Sequence, residues 1–508
     1  MRYNPSTPWV WTIVGLWLSS DWLPIVQAHS GHMGVELSHD IDTRLWLHIL
    51  CMGLAYGVLF PVGAVLGIVR NRFHVPVQAL GSCFVVVGYF LGHYHGGRRF
   101  GESAHVYFSR IVLLAFFVQI GCGLYLKLHL ERFLKRDYLR PIIRLVHRSI
   151  GYVTILLAWV QVVLGFIALS GFCYADHFGQ CLAHFIMGSS FVWYGVWLLF
   201  SLTLAGPWLR SKGRSPEFYD SLVILVWGIF NTFTEHRWDE PWTHKDLQHT
   251  AMGILWWSGG ILGTFMTWRA PPHSRSMVPA LIITFTGLAM AAHHQHTEFS
   301  TKVHTYFGGV LCIAGVTRMI ELFMVSFYPI EKDADSEAWP HPFRYVPPFF
   351  LVLSGTMFMS ANEESIQTLI DAGAEPASYC LLIVAVAFML FFIAYGLMIL
   401  YRYLAPRYTT DLGYHPVGER DHQAFDQIPI HRVVGGHGNE EAAYGLRPHH
   451  TGGEGLMPEA HTQTIFDIAS NDSFDDEPHS AVTLREEVEL RTVKHSPLNN
   501  LDDRMSEK

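Results

Sequence analysis

Residues 144–170 read RLVHRSIGYVTILLAWVQVVLGFIALS, and this stretch decides the fold class. From Ser149 to Ser170 it carries no charge and shows no strand alternation. A helix needs roughly 20 apolar residues to cross the hydrocarbon core. Backbone polar groups in lipid are satisfied only inside helices or closed barrels, so a run without alternation is a membrane helix. Working outward, similar runs occupy about 45–69, 75–94, 106–128, 184–205, 219–235, 249–268, 277–293, 304–328, 346–361 and 378–403. With half its 508 residues hydrophobic and 15% charged, the chain is predicted to be an all-α, polytopic transmembrane bundle of about eleven spans in membrane lipid. The formal net charge of -8 gives no reason to expect a nucleic-acid partner.

The N-terminus reads as a secretory signal over residues 1–28: Met1-Arg2, an apolar core from Trp9 to Leu18, and Val26-Gln27-Ala28 before the cut. An uncleaved anchor helix is the alternative. Arg70 and Arg72, the group Lys135, Arg136 and Arg140, and the group Arg210, Lys212 and Arg214 fall on alternate loops, which are therefore cytosolic. Arg98-Arg99 dissents. This orientation puts the N-terminus in the lumen, agrees with a cleaved signal, and leaves residues 404–508 as a polar, disordered cytosolic tail. The expected location is a membrane of the secretory pathway: endoplasmic reticulum, Golgi, vacuole or plasma membrane. Most cysteines lie inside apolar runs, but Cys173 and Cys181 bracket a short polar loop and can form a disulfide if that loop is lumenal.

Several early helices begin with histidine and share an offset. His74 is followed by Gly88 and Gly92, His105 by Gln119 and Gly123, and His147 by Gln161 and Gly165. The last residue of each set lies eighteen positions after its histidine, five whole turns, so both occupy one face. His48 opens the first run without a glycine at that offset. By span order, His48 and His105 lie at the lumenal end and His74 and His147 at the cytosolic end. Paired imidazoles at one depth, beside small residues that make room for a macrocycle, suit a haem b group. His93, His95 and His184 compete for these roles.

The strings His48-Ile49-Leu50 with Leu59-Phe60-Pro61-Val62-Gly63-Ala64, His74-Val75-Pro76-Val77-Gln78-Ala79-Leu80-Gly81, Ala104-His105 with Gln119, and His147-Arg148-Ser149-Ile150-Gly151-Tyr152 resemble the core helices of the cytochrome b561 superfamily. That resemblance covers about residues 40–170 and implies two haem b groups, ligated by His48 with His105 and by His74 with His147. The whole layout also resembles fungal Ytp-like integral membrane proteins, a likeness that brings no established activity. It implies a b561-like half at 29–205 and a Ytp-like half at 206–403, the latter marked by Glu235-His236-Arg237-Trp238 and His244-Lys245-Asp246-Leu247-Gln248-His249. The substrate-binding signatures of ascorbate-using b561 proteins are absent from the sequence.

Two turns of the second half, on the side assigned to the lumen, are rich in metal-ligating side chains: Glu235, His236, His244 and His249 in one, His293, His294, His296 and His304 in the other. Imidazole with carboxylate suits zinc, iron or copper, so a transition-metal ion is a candidate there. Glu321, inside a span, should face the bundle interior or a polar cavity. The leading expectation is a transmembrane oxidoreductase passing electrons from a cytosolic donor to a lumenal acceptor, with ferric or cupric reductase as a specific form. The alternatives are a metal or proton transporter and a non-catalytic structural or trafficking protein. Donor, acceptor and oligomeric state are not specified by the sequence.

Overall fold

The computed structural model describes residues 41–411, apart from 99, 135–137, 175–177, 205–208, 210–211, 235, 237–240, 271–273, 294 and 328–339. The expected signal and nearly all of the expected tail lie outside the described residues, as do Glu235 and His294. Eleven principal helices correspond one to one with the eleven apolar runs: α1 Thr43–Ile68, α2 His74–His93, α3 Ala104–Lys127, α4 Leu139–Ser170, α5 Phe178–Ser201, α6 Pro216–Thr234, α7 His244–Trp268, α8 Val278–Ala291, α9 Glu298–Phe327, α10 Val346–Ser360 and α11 Pro376–Asp411. The protein is an all-α polytopic helical membrane protein; among the described residues, the sole β pairing is an isolated bridge between Ile41 and Gly97.

Seven helices, α1–α5, α9 and α11, are long and apolar enough to cross a membrane. The other four fall short. α8 has 14 residues and α10 has 15, whereas α6 and α7 carry polar side chains such as Glu217, Asp220 and Gln248 within their length.

Local chemistry sets the helix ends. Asp42 caps α1: its Oδ1 accepts from the Leu45 N–H at 2.9 Å, while Oδ2 accepts from the Gly96 N–H at 2.6 Å and ties the start of α1 to the α2–α3 loop. These donors hold the Asp42 carboxyl below the usual carboxylate range. Thr243 and Asp246 form a capping box at α7. Within α1, Ala55–Leu59 is a π-helical turn, in which the Phe60 N–H reaches back to the Ala55 carbonyl. Pro61 follows immediately and cannot donate to the carbonyl four residues before it, which accounts for widening the helix at this point.

In the N-terminal half, α1 packs against α2 and α3 against α4. These two hairpins touch mainly where the π turn and second half of α1 meet α4. A dry plug of Ala55, Val85 and Phe116, flanked by Tyr56, Phe60 and Leu113, fills the middle.

The C-terminal half is built differently. α5 packs on α10, α6 on α7 and α8 on α9, with a shared core including Met252, Trp256, Phe307, Leu311, Leu351 and Phe358. Helix α11 lies against α10, α5 and the second half of α1, and so touches both halves.

Glu321 is buried, as the sequence required. It pairs with Arg318 and, at 3.0 Å, with Arg344; Arg318 and Arg275 each reach Glu217 at 3.0 Å. Buried charges in an apolar bundle persist when each has a partner. This knot joins α6, α9 and the segments preceding α8 and α10.

Cys173 and Cys181 form a disulfide. A Glu364 carboxylate oxygen accepts from the Cys173 N–H at 2.6 Å. Arg98 Nη1 donates to the Leu169 carbonyl at 3.0 Å, which places the α2–α3 loop at the same end of the bundle as the disulfide.

Candidate cofactor site

The four early histidines meet as two pairs. His48 of α1 faces His105 of α3 with ring centroids 6.5 Å apart, and His74 of α2 faces His147 of α4 at 6.4 Å, the rings crossing at 87° and 86°. Two imidazoles on opposite sides of one metal ion, each nitrogen about 2 Å from it and roughly 1.2 Å from its own ring centre, put those centres roughly 6.4 Å apart. Both gaps match that spacing. His93 and His95, the competitors in this half, lie elsewhere: His93 is exposed and tilted against Tyr89, and His95 sits in the α2–α3 loop against Phe100.

Hydrogen bonding sets the ring tautomers. Nδ1 of His48 donates to the Gly88 carbonyl at 2.7 Å, Nδ1 of His74 to Gly63 at 2.7 Å, and Nδ1 of His105 to Gln161 at 3.2 Å. A carbonyl can only accept, so Nδ1 carries the hydrogen in these neutral rings and Nε2 keeps the lone pair that ligates a metal. Outer hydrogen bonds of this kind orient metal-binding histidines. The fourth, His147, has a buried Nδ1 without a partner in hydrogen-bonding geometry, with the Gln119 carbonyl as the acceptor on that side.

Each ring also lies against a glycine of its hairpin partner. A Cβ at Gly92 would stand 2.5 Å from His48 Nδ1, one at Gly67 2.8 Å from His74 Nδ1, one at Gly165 3.0 Å from His105 Cε1, and one at Gly123 3.3 Å from His147 Cε1. The sequence offsets now have a geometric meaning. In an antiparallel hairpin, the glycine eighteen residues beyond one histidine arrives at the depth of the other, so Gly92 serves His48, Gly123 serves His147 and Gly165 serves His105. The positions at fourteen, Gly88, Gln119 and Gln161, supply the carbonyls.

His48 lacked this pattern in the sequence because its counterparts lie one residue later, at Gly63 and Gly67. The π turn at Ala55–Leu59 absorbs the extra residue. A search for a fixed offset misses this site, whereas allowing one inserted residue before Pro61 recovers it.

The predicted metal residues of the second half do not form one centre. His244 and His296 are exposed. His236 belongs to a separate arrangement, stacked on Trp242 at 3.8 Å with its Nδ1 3.2 Å from Asp246 Oδ2. His249, His293 and His304 do come together, joined by His184 from α5. Sequence reasoning placed His184 only among the competitors for the first half; its position at the lumen-assigned start of α5, level with His304 at the start of α9, was the available signal. Among the described residues, just one set of three metal-ligating atoms lies within mutual reach, Cys173, Cys181 and Glu364. Its sulfurs are bonded to each other and its carboxylate accepts from the Cys173 N–H, so it is a structural clasp.

Comparison with known proteins finds likeness over parts of the chain. Residues 157–402 match the family described as "Protein YTP1-like, C-terminal", and residues 30–129 match a domain of unknown function, DUF2427. The chain is 46% identical over 262 residues to Protein YTP1 of Saccharomyces cerevisiae, a match covering 51% of this chain and 55% of that one. It therefore spans little more than half the length of that relative. An uncharacterised membrane protein of Schizosaccharomyces pombe is 23% identical over 450 residues, covering 64% of this chain and 87% of the relative. No solved structure matches. The matched region, the curated fungal relatives and the all-helical architecture together show an integral membrane protein that is Ytp-like over residues 157–402.

Proposed function

We propose that the N-terminal half carries two haem b groups, one between His48 and His105 and one between His74 and His147, and that the protein is a transmembrane electron-transfer protein. The observation that supports this most is the repetition of one geometry at opposite ends of the half: crossed imidazoles at 6.5 and 6.4 Å, each backed by a glycine. The residues fit the group. Where Nδ1 donates to a backbone carbonyl, Nε2 is the ligating atom, and the two hairpins meet mainly at the π turn and second half of α1.

When bound, haem b supplies one-electron transfer, here from a cytosolic reductant toward a lumenal acceptor, with a ferric or cupric ion as the candidate acceptor. The chain's own contribution is to fix the four rings and to keep water from the centre. From His74 to Gly92, which rests on His48, α2 rises about 27 Å, so the pairs lie at opposite ends of the hairpins with Ala55, Val85 and Phe116 between them. The His48 and His105 pair lies toward the end that carries the disulfide, as expected if that end faces an oxidising lumen.

The test is the oxidised and dithionite-reduced visible spectrum of purified protein with a pyridine-haemochrome count. A reduced band near about 560 nm and about two haems per chain are expected for bis-histidine b-type ligation. Protein expressed with adequate haem supply that contains none would discard the proposal and favour metal or proton transport.

A further inference from the structure

The four rings of the N-terminal half are held by unequal neighbours. Across the α1–α2 hairpin the Nδ1 acceptors are glycine carbonyls, Gly88 for His48 and Gly63 for His74. Across the α3–α4 hairpin they belong to glutamines, Gln161 for His105 and Gln119 on the side of His147. A glycine offers only its backbone. Each glutamine also brings an amide whose oxygen is buried.

The two amides go to different places. Gln161 Nε2 donates to the His105 carbonyl at 3.0 Å and lies 3.4 Å from His105 Nε2, the nitrogen with the ligating lone pair. A carbonyl oxygen can only accept, so the end of the amide held there is the NH2 and not the oxygen. Gln161 therefore grips His105 twice, through its own carbonyl and through its side chain, and keeps the positive end of the amide dipole beside the ligating nitrogen. The Gln119 amide lies instead against Gly151, one turn past His147, where a Cβ would stand 3.1 Å from Gln119 Nε2.

Stability alone does not favour this choice. Gln161 Oε1 is buried and accepts no hydrogen bond among the described residues. Leaving a buried acceptor unsatisfied is costly, whereas a leucine of similar reach would bring no polar atom into the bundle. Positions where a sequence departs from its most stable choice are those where function is expected.

We propose that Gln161 raises the reduction potential of the haem held by His48 and His105, and so makes the lumen-assigned side the electron sink. This rests on the haem reading given above. Reduction adds one negative charge at the ligated metal, and a fixed positive dipole end beside its ligand favours that state, the more so where water is excluded. The step it drives is simple in its balance. One electron leaves the His74 and His147 side, which is oxidised, and arrives at the His48 and His105 side, which is reduced; no bond or proton changes hands. The cytosolic reductant of the haem reading then restores the first side. Gln119, with its NH2 turned to Gly151, gives the other side no such bias.

The test is a redox titration of the full chain in detergent, followed in the visible spectrum and resolved into two one-electron components. The component that survives in His147→Ala is the one assigned to His48 and His105. Gln161→Leu should make that component roughly tenfold harder to reduce, a fall of about 59 mV for one electron, and leave the other in place. The melting temperature should stay unchanged or rise. Gln119→Leu should not move the His48 and His105 component. Gln161→Glu, which keeps the length and an oxygen but removes the NH2, gives a second reading and should shift the same component downward. An unmoved or raised component in both Gln161 variants would overturn the inference. So would an equal shift from Gln119→Leu, or a fall in melting temperature with loss of haem in both Gln161 variants, which would make the residue structural. Haem absent from the unmodified protein would overturn the haem reading and this inference together, whereas two haems with unshifted potentials would overturn this inference alone.

Discussion

The two halves of this protein both depend on glycine, and they use it for opposite purposes. In the N-terminal half the glycines face side chains: Gly92, Gly67, Gly165 and Gly123 face histidine rings, and Gly81 faces Phe60. In the C-terminal half several would put a Cβ within 3 Å of a neighbouring helix's backbone. A Cβ at Gly287 would stand 2.7 Å from the Cys312 nitrogen, one at Gly260 2.6 Å from the Leu225 nitrogen, and one at Gly195 2.7 Å from the Pro348 carbonyl oxygen. Close backbone approach maximises dispersion between helices, which matters where lipid is as apolar as the protein. Glycine thus creates a space in one half and removes it in the other. A small-residue face in a membrane helix does not by itself identify a cofactor pocket.

The largest effect expected from this contrast is in the C-terminal half. Gly287→Leu should separate α8 from α9 at a cost on the order of 3 kcal/mol, seen as loss of the monodisperse peak in fluorescence-detected gel filtration. A stable, monodisperse variant would show that the close contact is dispensable. The proposed haem pockets come next. His147→Ala should remove the haem held with His74 and leave the other, halving the pyridine-haemochrome count; an unchanged count would refute the pairing.

Deleting Val58 from the π turn should restore regular helix and carry Gly63 and Gly67 about 100° around α1 relative to His74. Loss of the same haem is expected, with that of His48 and His105 better retained. If both haems persist unchanged, the π turn does not set the register. Gly92→Val should crowd His48 and lower haem content on that side, while thermal stability falls by only about 1 kcal/mol, because a ring can move more easily than a backbone. Equal stability losses at Gly92 and Gly287 would erase the distinction between the halves.

The smallest effect is at Asp42, outside the spans. Its carboxyl titrates below the ordinary 3.8 when folded because the Leu45 and Gly96 N–H groups stabilise the anion. Its stabilising effect is therefore full above that value and is lost as pH falls through the lower folded one. Asp42→Ala should lower the melting temperature slightly at neutral pH, and the difference from the unmodified protein should shrink below about pH 3.8.

Much of the fold was legible from residue order alone. Eleven apolar runs became eleven helices because hydrocarbon leaves an isolated segment one way to satisfy its backbone. Run length was less informative about crossing: α8 and α10 are short, and α6 and α7 carry polar groups whose placement depends on neighbouring helices. The charged residue Glu321 announced a buried partner: Arg318, three residues earlier on the same helix, is a neighbour by helical spacing, whereas Arg344 lies on another segment and was not identifiable that way.

At the candidate sites, the sequence by itself determined which histidines share a depth, since helical rise and span order fix height in the membrane. It also placed a glycine on the same face as three of them. Only the tertiary structure decided whom each glycine serves: antiparallel pairing hands the small residue of one helix to the imidazole of its neighbour, and one π turn shifts the fourth set by a residue. The structure likewise drew His184 to His304 and separated His236, His244 and His296 from them. Depth is a property of one helix and can be counted along it. Adjacency belongs to pairs of helices, and packing sets it.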